Sequence, residues 1–250
     1  MIDSFHQTSS RIIPGTKYAF LLCHGILGTP HFFDFLLPFI PSNCSYINLL
    51  LKGHGEGVKE FGRSSMEEWE KQIEETITYL RSLNLKIIMV THSMGGLFAL
   101  NEAYKNKDIF YRLVIFNPPL KIFVKPKAIF SSLEATFINE PKSINAKEMK
   151  KSSSVKLSKN PFLYLLWLPR YYELFKKSHD VRKIVRFIEV KTDVFISKKD
   201  ELVSIKSANY FGKNENVKLH YLLDSGHHLY SEKDKDKAKD IFIELVNTLN

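Results

Sequence analysis

Ser93, Asp200 and His227 have the types and placements that turn an alcohol into a nucleophile. A serine hydroxyl attacks a carbonyl only when a base takes its proton, and the base works only when a third group orients it. Ser93 lies in Thr91-His92-Ser93-Met94-Gly95-Gly96, directly after the apolar run Lys86-Ile87-Ile88-Met89-Val90 and before the helix-like Leu97-Phe98-Ala99-Leu100. A serine between a buried strand and a helix, with two glycines behind it, has the setting of a tight turn that pushes the hydroxyl clear of the backbone. The helix start behind it offers N–H groups and a positive dipole end to an oxyanion. Asp200 follows the run Asp193-Val194-Phe195-Ile196, and His227 follows Val217-Lys218-Leu219-His220-Tyr221-Leu222. Three chemistry-bearing residues thus fall at three strand ends. The competing readings are a helix-capping Asp200 and surface histidines, with Glu201 as the rival acid and His228 as the rival base.

Short apolar runs alternate with helix-like segments, the pattern of a mostly parallel sheet covered on both faces. Strands are expected at residues 18–23, 45–51, 86–90, 113–116, 193–196 and 217–222. Residues 66–83 form an amphipathic helix with Trp69, Ile73, Ile77, Leu80 and Leu83 on one stripe. Ser64 with Glu67, or Ser65 with Glu68, supplies its capping box. Ser231 caps a last helix whose buried stripe is Ala238, Ile241, Phe242, Leu245, Val246 and Leu249. Between the fourth and fifth of the main strand–helix repeats the alternation stops for about seventy residues, longer than a structureless loop in a compact domain. Within it, residues 147–159 read as a mobile polar loop or linker.

Length and composition suit one α/β domain of 250 residues with 44% apolar content. Cys23 and Cys44 are the only cysteines, so neither a disulfide framework nor a thiolate metal site is expected. The N-terminal residues carry no basic-then-apolar leader, and no apolar stretch reaches the roughly 20 residues that span a bilayer. A cytoplasmic protein is the expectation. The net charge of +9 is concentrated: residues 120–190 hold 15 Lys/Arg against 6 Asp/Glu, and the remainder holds 21 of each sign. No nucleic-acid motif accompanies that charge, so a nucleic-acid partner is not expected.

His24-Gly25-Ile26-Leu27-Gly28-Thr29-Pro30, Gly53-His54-Gly55, the Ser93 turn, Asp200 and Ser225-Gly226-His227 together resemble the α/β-hydrolase superfamily. The branch they most resemble is that of the small carboxylesterases and monoacylglycerol lipases. Two departures stand out: Thr91 replaces the first glycine of the usual G-x-S-x-G elbow, and Glu201 follows Asp200 directly. The resemblance implies an α/β-hydrolase core at residues 1–119 and 190–250 with a mainly helical cap at 120–189. It implies Ser93 as nucleophile, His227 as base, Asp200 as its orienting acid, and the backbone N–H groups of Ile26 and Met94 as the oxyanion hole. No metal or other cofactor is expected. His24 is expected to support the oxyanion loop, His54 to belong to a structural turn, and His92 to pack beside the elbow; a zinc site needs further ligands that do not accompany them. Gly95 and Gly96 are expected to accommodate the helix beside Thr91 and leave Ser93 in a strained conformation.

The implied activity is hydrolysis of short- to medium-chain acyl esters or monoacylglycerols through an acyl-enzyme. The alternatives are an acyltransferase or thioesterase on the same triad, or a non-enzymatic binding protein of the same fold. Residues 162–172, rich in Phe, Tyr, Leu and Trp, read either as pocket lining or as an amphipathic face toward lipid. The surrounding lysines read either as a solvated face or as a weak contact with anionic membrane surfaces.

Overall fold

The computed structural model describes residues 6–249; the first five residues, read above for a leader, lie outside it. Among the described residues, no helix is long and apolar enough to cross a membrane. Seven strands form one sheet: β1 (Ser9–Arg11), β2 (Tyr18–Cys23), β3 (Ser45–Leu49), β4 (Lys86–His92), β5 (Phe110–Phe116), β6 (Thr192–Ser197) and β7 (Val217–Leu222). Their order is β1-β3-β2-β4-β5-β6-β7, with β1 antiparallel to β3 and every other pair parallel. The central strands are buried on both faces because their side chains alternate between two cores. Ala19, Leu21 and Cys23 join Trp69, Ile73, Leu97 and Leu100 on one side, while Phe20 and Leu22 join Phe33, Phe242 and Leu245 on the other.

The helices are α1 (Val58–Arg63), α2 (Met66–Ser82), α3 (Met94–Lys105), α4 (Pro126–Phe137), α5 (Ile144–Ser152), α6 (Leu168–Ile184) and α7 (Glu232–Asn247). Ser65 caps α2 by accepting from the Glu68 N–H at 3.1 Å, and Ser231 caps α7 through Asp234 N–H at 3.2 Å. The expected β3 is two residues too long. Leu50 and Leu51 leave the ladder because their N–H groups donate to Thr8 Oγ1 and His24 Nε2. Conversely β4 runs on to His92 and β5 begins at Phe110, three residues earlier than expected. Its extra residue Arg112 lies in the sheet because Asp193 on the neighbouring strand accepts from its Nε at 2.7 Å.

The segment between β5 and β6 leaves the sheet as an irregular stretch and then carries α4, α5 and α6, and the expected loop at 147–159 is corrected. Residues 147–152 belong to α5: Ser143 caps it through the Ala146 N–H at 3.2 Å, Ala146 is buried, and its Lys, Glu and Met residues are good helix formers. Residues 153–160 are irregular but pinned. Ser154 donates its N–H to Leu27 O at 3.0 Å and its hydroxyl to Gly28 O, and Lys156 N–H donates to Glu56 O at 2.7 Å. Where the chain leaves β5 it runs beside the loop after β6: Phe123 and Lys125 N–H groups donate to Leu202 and Glu201 carbonyls. A 3₁₀ turn (Pro161–Trp167) then leads into α6, whose Leu174 and Val181 join the core that covers α3.

The crossing of α3 over the strand ends explains the two glycines. A Cβ on Gly95 would collide with the Cys23 carbonyl oxygen, and one on Gly96 would stand 2.6 Å from Ile115 Cγ2. Thr91 is fully buried beneath, with a hydroxyl that has no hydrogen-bond partner. Gly95→Ala should therefore destabilise the protein by about 1–3 kcal/mol through overpacking. Thr91→Val keeps the shape and removes the unpaired hydroxyl, and should be neutral or stabilising. Thermal unfolding checks both, at roughly 2–4 °C per kcal/mol for a domain of this size; a Gly95→Ala protein as stable as the parent would refute the close-approach account.

Candidate active site

Ser93 stands between the end of β4 and the start of α3 with φ 51° and ψ −121°, a conformation that L residues rarely adopt. Its N–H donates to Phe116 O at 2.8 Å, which ties the turn to the neighbouring strand. A serine at a helix N-cap ordinarily turns its hydroxyl back on the helix. Here it makes no capping bond, and Oγ instead lies 3.0 Å from His227 Nε2. His227 Nδ1 lies 2.8 Å from Asp200 Oδ2. All three side chains are buried. Ser93 lies more than a hundred positions from both Asp200 and His227 in the sequence, and the sheet brings the three into one hydrogen-bonded line. A neutral His227 with its proton on Nδ1 donates to Asp200 and accepts from the Ser93 hydroxyl.

Each member is held by groups with no other evident task. Asp200 Oδ1 accepts from the N–H groups of Leu202 and Val203 at 2.8 and 2.7 Å, which fixes the carboxylate plane. Glu201, the rival acid, holds the backbone of His227 rather than its ring. Its Oε2 accepts the His227 backbone N–H at 3.1 Å from a buried position. Gly226 leaves room for it, since a Cβ there would stand 2.7 Å from that oxygen. His92 Nε2 donates to the His227 carbonyl at 3.1 Å, and its ring stacks on Phe32 at 4.0 Å. Asp234, in the first turn of α7, accepts from the N–H groups of Leu223 and Asp224 and from Ser225 Oγ. Asn117, at φ 48°, joins the strand ends: its Nδ2 donates to Ser197 Oγ and Tyr230 OH, and its Oδ1 accepts the Ser197 N–H. Asn117-Pro118-Pro119 reads in the sequence only as a strand terminator. No periodicity marks its partners.

Electrostatics separates the histidines. Burial pulls the His24 imidazole down to about 4, and holds His54 and His92 well below the ordinary histidine range. His228, half-buried with its ring edge-on to His227, is pushed down to about 3 by desolvation and by the neighbouring imidazole. Burial pulls His227 down too, but the charges of Asp200 and Glu201 and the Asp200 hydrogen bond outweigh it, and the net shift is upward. His227 alone among these five gains a proton readily. A second buried pair, Asp193 with His220 at 2.8 Å, lies in the strands beside Arg112 and has a structural setting.

Gly25 brings the loop after β2 against the turn, since a Cβ there would stand 2.7 Å from Ser93 Cβ. Ile26 follows it. Met94 is the first residue of α3, where an N–H has no acceptor inside the helix. His24 holds the loop as a neutral ring: Nδ1 donates to Gly25 O at 2.8 Å and Nε2 accepts the Leu51 N–H at 3.2 Å. His54 packs edge-on to His24 at 4.7 Å. Among the described residues, no three His, Cys, Asp or Glu side chains gather to hold a metal ion. Past Leu27 lies an apolar cavity of about 400 Å³, walled by Met149, Leu157, Tyr164, Trp167 and Tyr171. Across residues 152–154 lies a more polar one of about 310 Å³, reached by Thr29, His228, Tyr230, Lys151 and Lys235.

A solved structure of the metagenome-derived lipolytic enzymes LipS and LipT superimposes with a TM-score of 0.76 at 16% identity, covering 99% of this chain and 100% of that one. The monoacylglycerol lipase of Paleococcus ferrophilus gives 0.68 at 15% identity, covering 97% of this chain and 98% of that one. A soluble variant of the Saccharomyces cerevisiae monoglyceride lipase, in complex with a substrate analogue, gives 0.70 at 15%, covering 97% and 91%. At such identities the likeness establishes the fold. No curated protein matches the chain by sequence. The family model described as the alpha/beta hydrolase family matches residues 20–238, and the chain belongs to that family.

Proposed function

We propose that the protein is a serine hydrolase of carboxylic esters, with Ser93 as nucleophile, His227 as general base and acid, and Asp200 as its orienting acid. The observation that carries this reading is the line from Ser93 Oγ to His227 Nε2 at 3.0 Å and from His227 Nδ1 to Asp200 at 2.8 Å. His227 takes the Ser93 proton as Oγ attacks the ester carbonyl. The backbone N–H groups of Ile26 and Met94 hold the tetrahedral oxyanion, worth about 2.7–4 kcal/mol per donor in sites of this kind. Collapse expels the alcohol, which takes the proton from His227. Water then repeats the sequence on the acyl-enzyme and frees the acid and Ser93.

The substrate class follows from the two cavities. Residues 120–189 act as a cap over the core, and the apolar cavity within it receives the acyl chain. Its volume of about 400 Å³ lies low in the range of small-ligand sites, which suits short- to medium-chain acyl groups. The polar cavity beside His228 receives the alcohol, so a monoacylglycerol with its two free hydroxyls fits the pair. Water is the acceptor in this reading; a thiol or a second alcohol in its place gives the thioesterase or acyltransferase variant of the same chemistry.

A fluorophosphonate probe should label Ser93, and nitrophenyl esters of increasing acyl length should pass through a maximum of kcat/KM at short to medium chains. Ser93→Ala and His227→Ala should each lower kcat by about 10⁴–10⁶, with the double variant scarcely worse than either. Unlabelled Ser93, or full activity in His227→Ala, would overturn the assignment.

The base must be neutral to accept a proton, and the raised His227 value places the acid limb of activity above the ordinary 6.5. Activity should therefore rise with pH through a midpoint on the alkaline side of that value. Asp200→Asn should lower kcat by about 10⁴ and move the limb to lower pH. Glu201→Gln keeps an acceptor for the His227 N–H but removes a charge. It should leave kcat within about tenfold, since a barrier change of 1.4 kcal/mol is one decade, while still moving the limb downward. A pH–rate profile of kcat/KM checks all three; limbs that coincide would show that these carboxylates do not tune His227.

A further inference from the structure

Two helices of the segment between β5 and β6, α4 and the start of α6, turn large apolar residues to the outside. An amphipathic surface helix buries its large apolar residues and shows its polar ones. α4 buries Ala128, Ser131 and Ala135, and turns Ile129, Phe130 and Leu133 to the outside, with Phe130 71% exposed. The first turns of α6 bury Arg170 and Leu174 and expose Leu168, Tyr172 and Phe175. Between them, the 3₁₀ turn buries Trp167, whose Nε1 donates to Val58 O at 2.9 Å, and packs Leu163 and Tyr164 partly against the core. Phe162 in the same turn is 76% exposed, and Leu165 is exposed beside it. Single exposed apolar residues are ordinary, but a cluster of them on neighbouring elements marks an interaction surface.

These elements meet around one opening. The Phe137 ring at the end of α4 lies 6.3 Å from that of Tyr164, and Lys159 Nζ donates to the Phe137 carbonyl at 3.0 Å. Leu133, Phe137, Pro161 and Tyr164 line the same apolar cavity. The charge of the protein is gathered on the same segment, which carries the whole excess of +9. Many lysines stand opposite carboxylates, as in Lys52–Glu68 and Lys199–Asp224, and on α6 of the segment itself Lys177–Glu70 and Lys183–Asp180. By contrast Lys127 on α4 and Lys147 and Lys151 on α5 have no carboxylate partner among the described residues, and Lys150 reaches only backbone carbonyls. A second copy of this chain would bring the same positive charge to the face and be repelled. An anionic lipid surface would accept both features, with aromatic and aliphatic side chains entering the interface and lysine tips staying at the headgroups.

We infer that this face docks on anionic lipid membranes, holding the mouth of the cavity at the bilayer surface. Docking does not depend on the esterase reading, so the two can fail separately. The test is co-sedimentation of the full chain with vesicles of phosphatidylcholine alone and of equal parts phosphatidylcholine and phosphatidylglycerol. Binding should favour the anionic vesicles by about tenfold or more and fall steeply with added salt, as screening shortens to about 8 Å at physiological ionic strength. Phe130→Asp with Phe162→Asp, and separately Lys147→Glu with Lys150→Glu, should each reduce that binding by about tenfold or more. Both pairs should leave hydrolysis of a soluble ester unchanged, which also shows that they fold. Equal or negligible binding to both vesicles, or binding that neither pair alters, would overturn the inference. So would a dimer in sedimentation velocity that Phe130→Asp dissolves, since the face would then belong to a second copy.

Discussion

A serine held at φ 51° is the constraint around which this molecule is arranged, because such a backbone conformation costs on the order of 1–3 kcal/mol and persists only where its surroundings enforce it. The enforcement is steric and comes from three sides. Gly25 allows the loop after β2 to touch the Ser93 side chain, Gly95 allows α3 to cross the end of β2, and Gly96 allows it to clear Ile115 on β5. The Ser93 N–H bond to Phe116 O then locks the turn against β5. Relaxing any of these contacts would let Ser93 settle into an ordinary helix cap, with its hydroxyl folded back on α3 and out of reach of His227. The parallel register of β2, β4 and β5 is thus also the device that holds the hydroxyl out.

The same layout decides which imidazole can act. Five histidines crowd this end of the sheet, and burial alone would keep every one of them neutral. Of the five, only His227 has its ring hydrogen-bonded to a carboxylate. Glu201 contributes twice, as an acceptor for the His227 N–H and as a second negative charge behind Asp200. His92 and Asp234 add no charge partner to the ring but fix the loop that carries it. Orientation and proton affinity therefore come from different residues on different elements.

Strands buried on both faces were legible because their apolar runs are unbroken, as in β2, which matches its expected bounds to the residue; β7 matches too, through its alternation of apolar and polar residues. Ser93, Asp200 and His227 could be placed because strand ends are marked by Gly, Asn and charged residues in the sequence itself. What escaped depends on partners remote in the chain. β1 is Ser9-Ser10-Arg11, an edge strand with no apolar alternation, held by pairing with β3. α5 is dense in lysine and reads as a loop until Ala146 finds a buried site. Asn117 and Ser154 look like turn residues, and their work lies in bonds to Ser197, Tyr230, Leu27 and Gly28. The aromatic run at 162–172 resisted a single reading for a physical reason: a 3₁₀ turn feeding an α-helix changes the period midway, so Trp167 points inward while Phe162 and Tyr172 point outward.

The insertion between β5 and β6 also sets an order of assembly. Ser93 and His227 are 134 residues apart, and everything between them includes the whole lysine-rich segment. At about 5–20 residues per second, a ribosome needs roughly 7–27 s to make that stretch. During this interval β2, β3, β4 and β5 can pair, and the strained turn can form, while Asp200 and His227 do not yet exist. The outward apolar face of α4 emerges earlier than β6 and β7, so the nascent chain displays its stickiest surface before its sheet is closed. Until β7 and the loop after it are made, the Ser93 hydroxyl therefore stands without the two side chains that complete its hydrogen-bonded line.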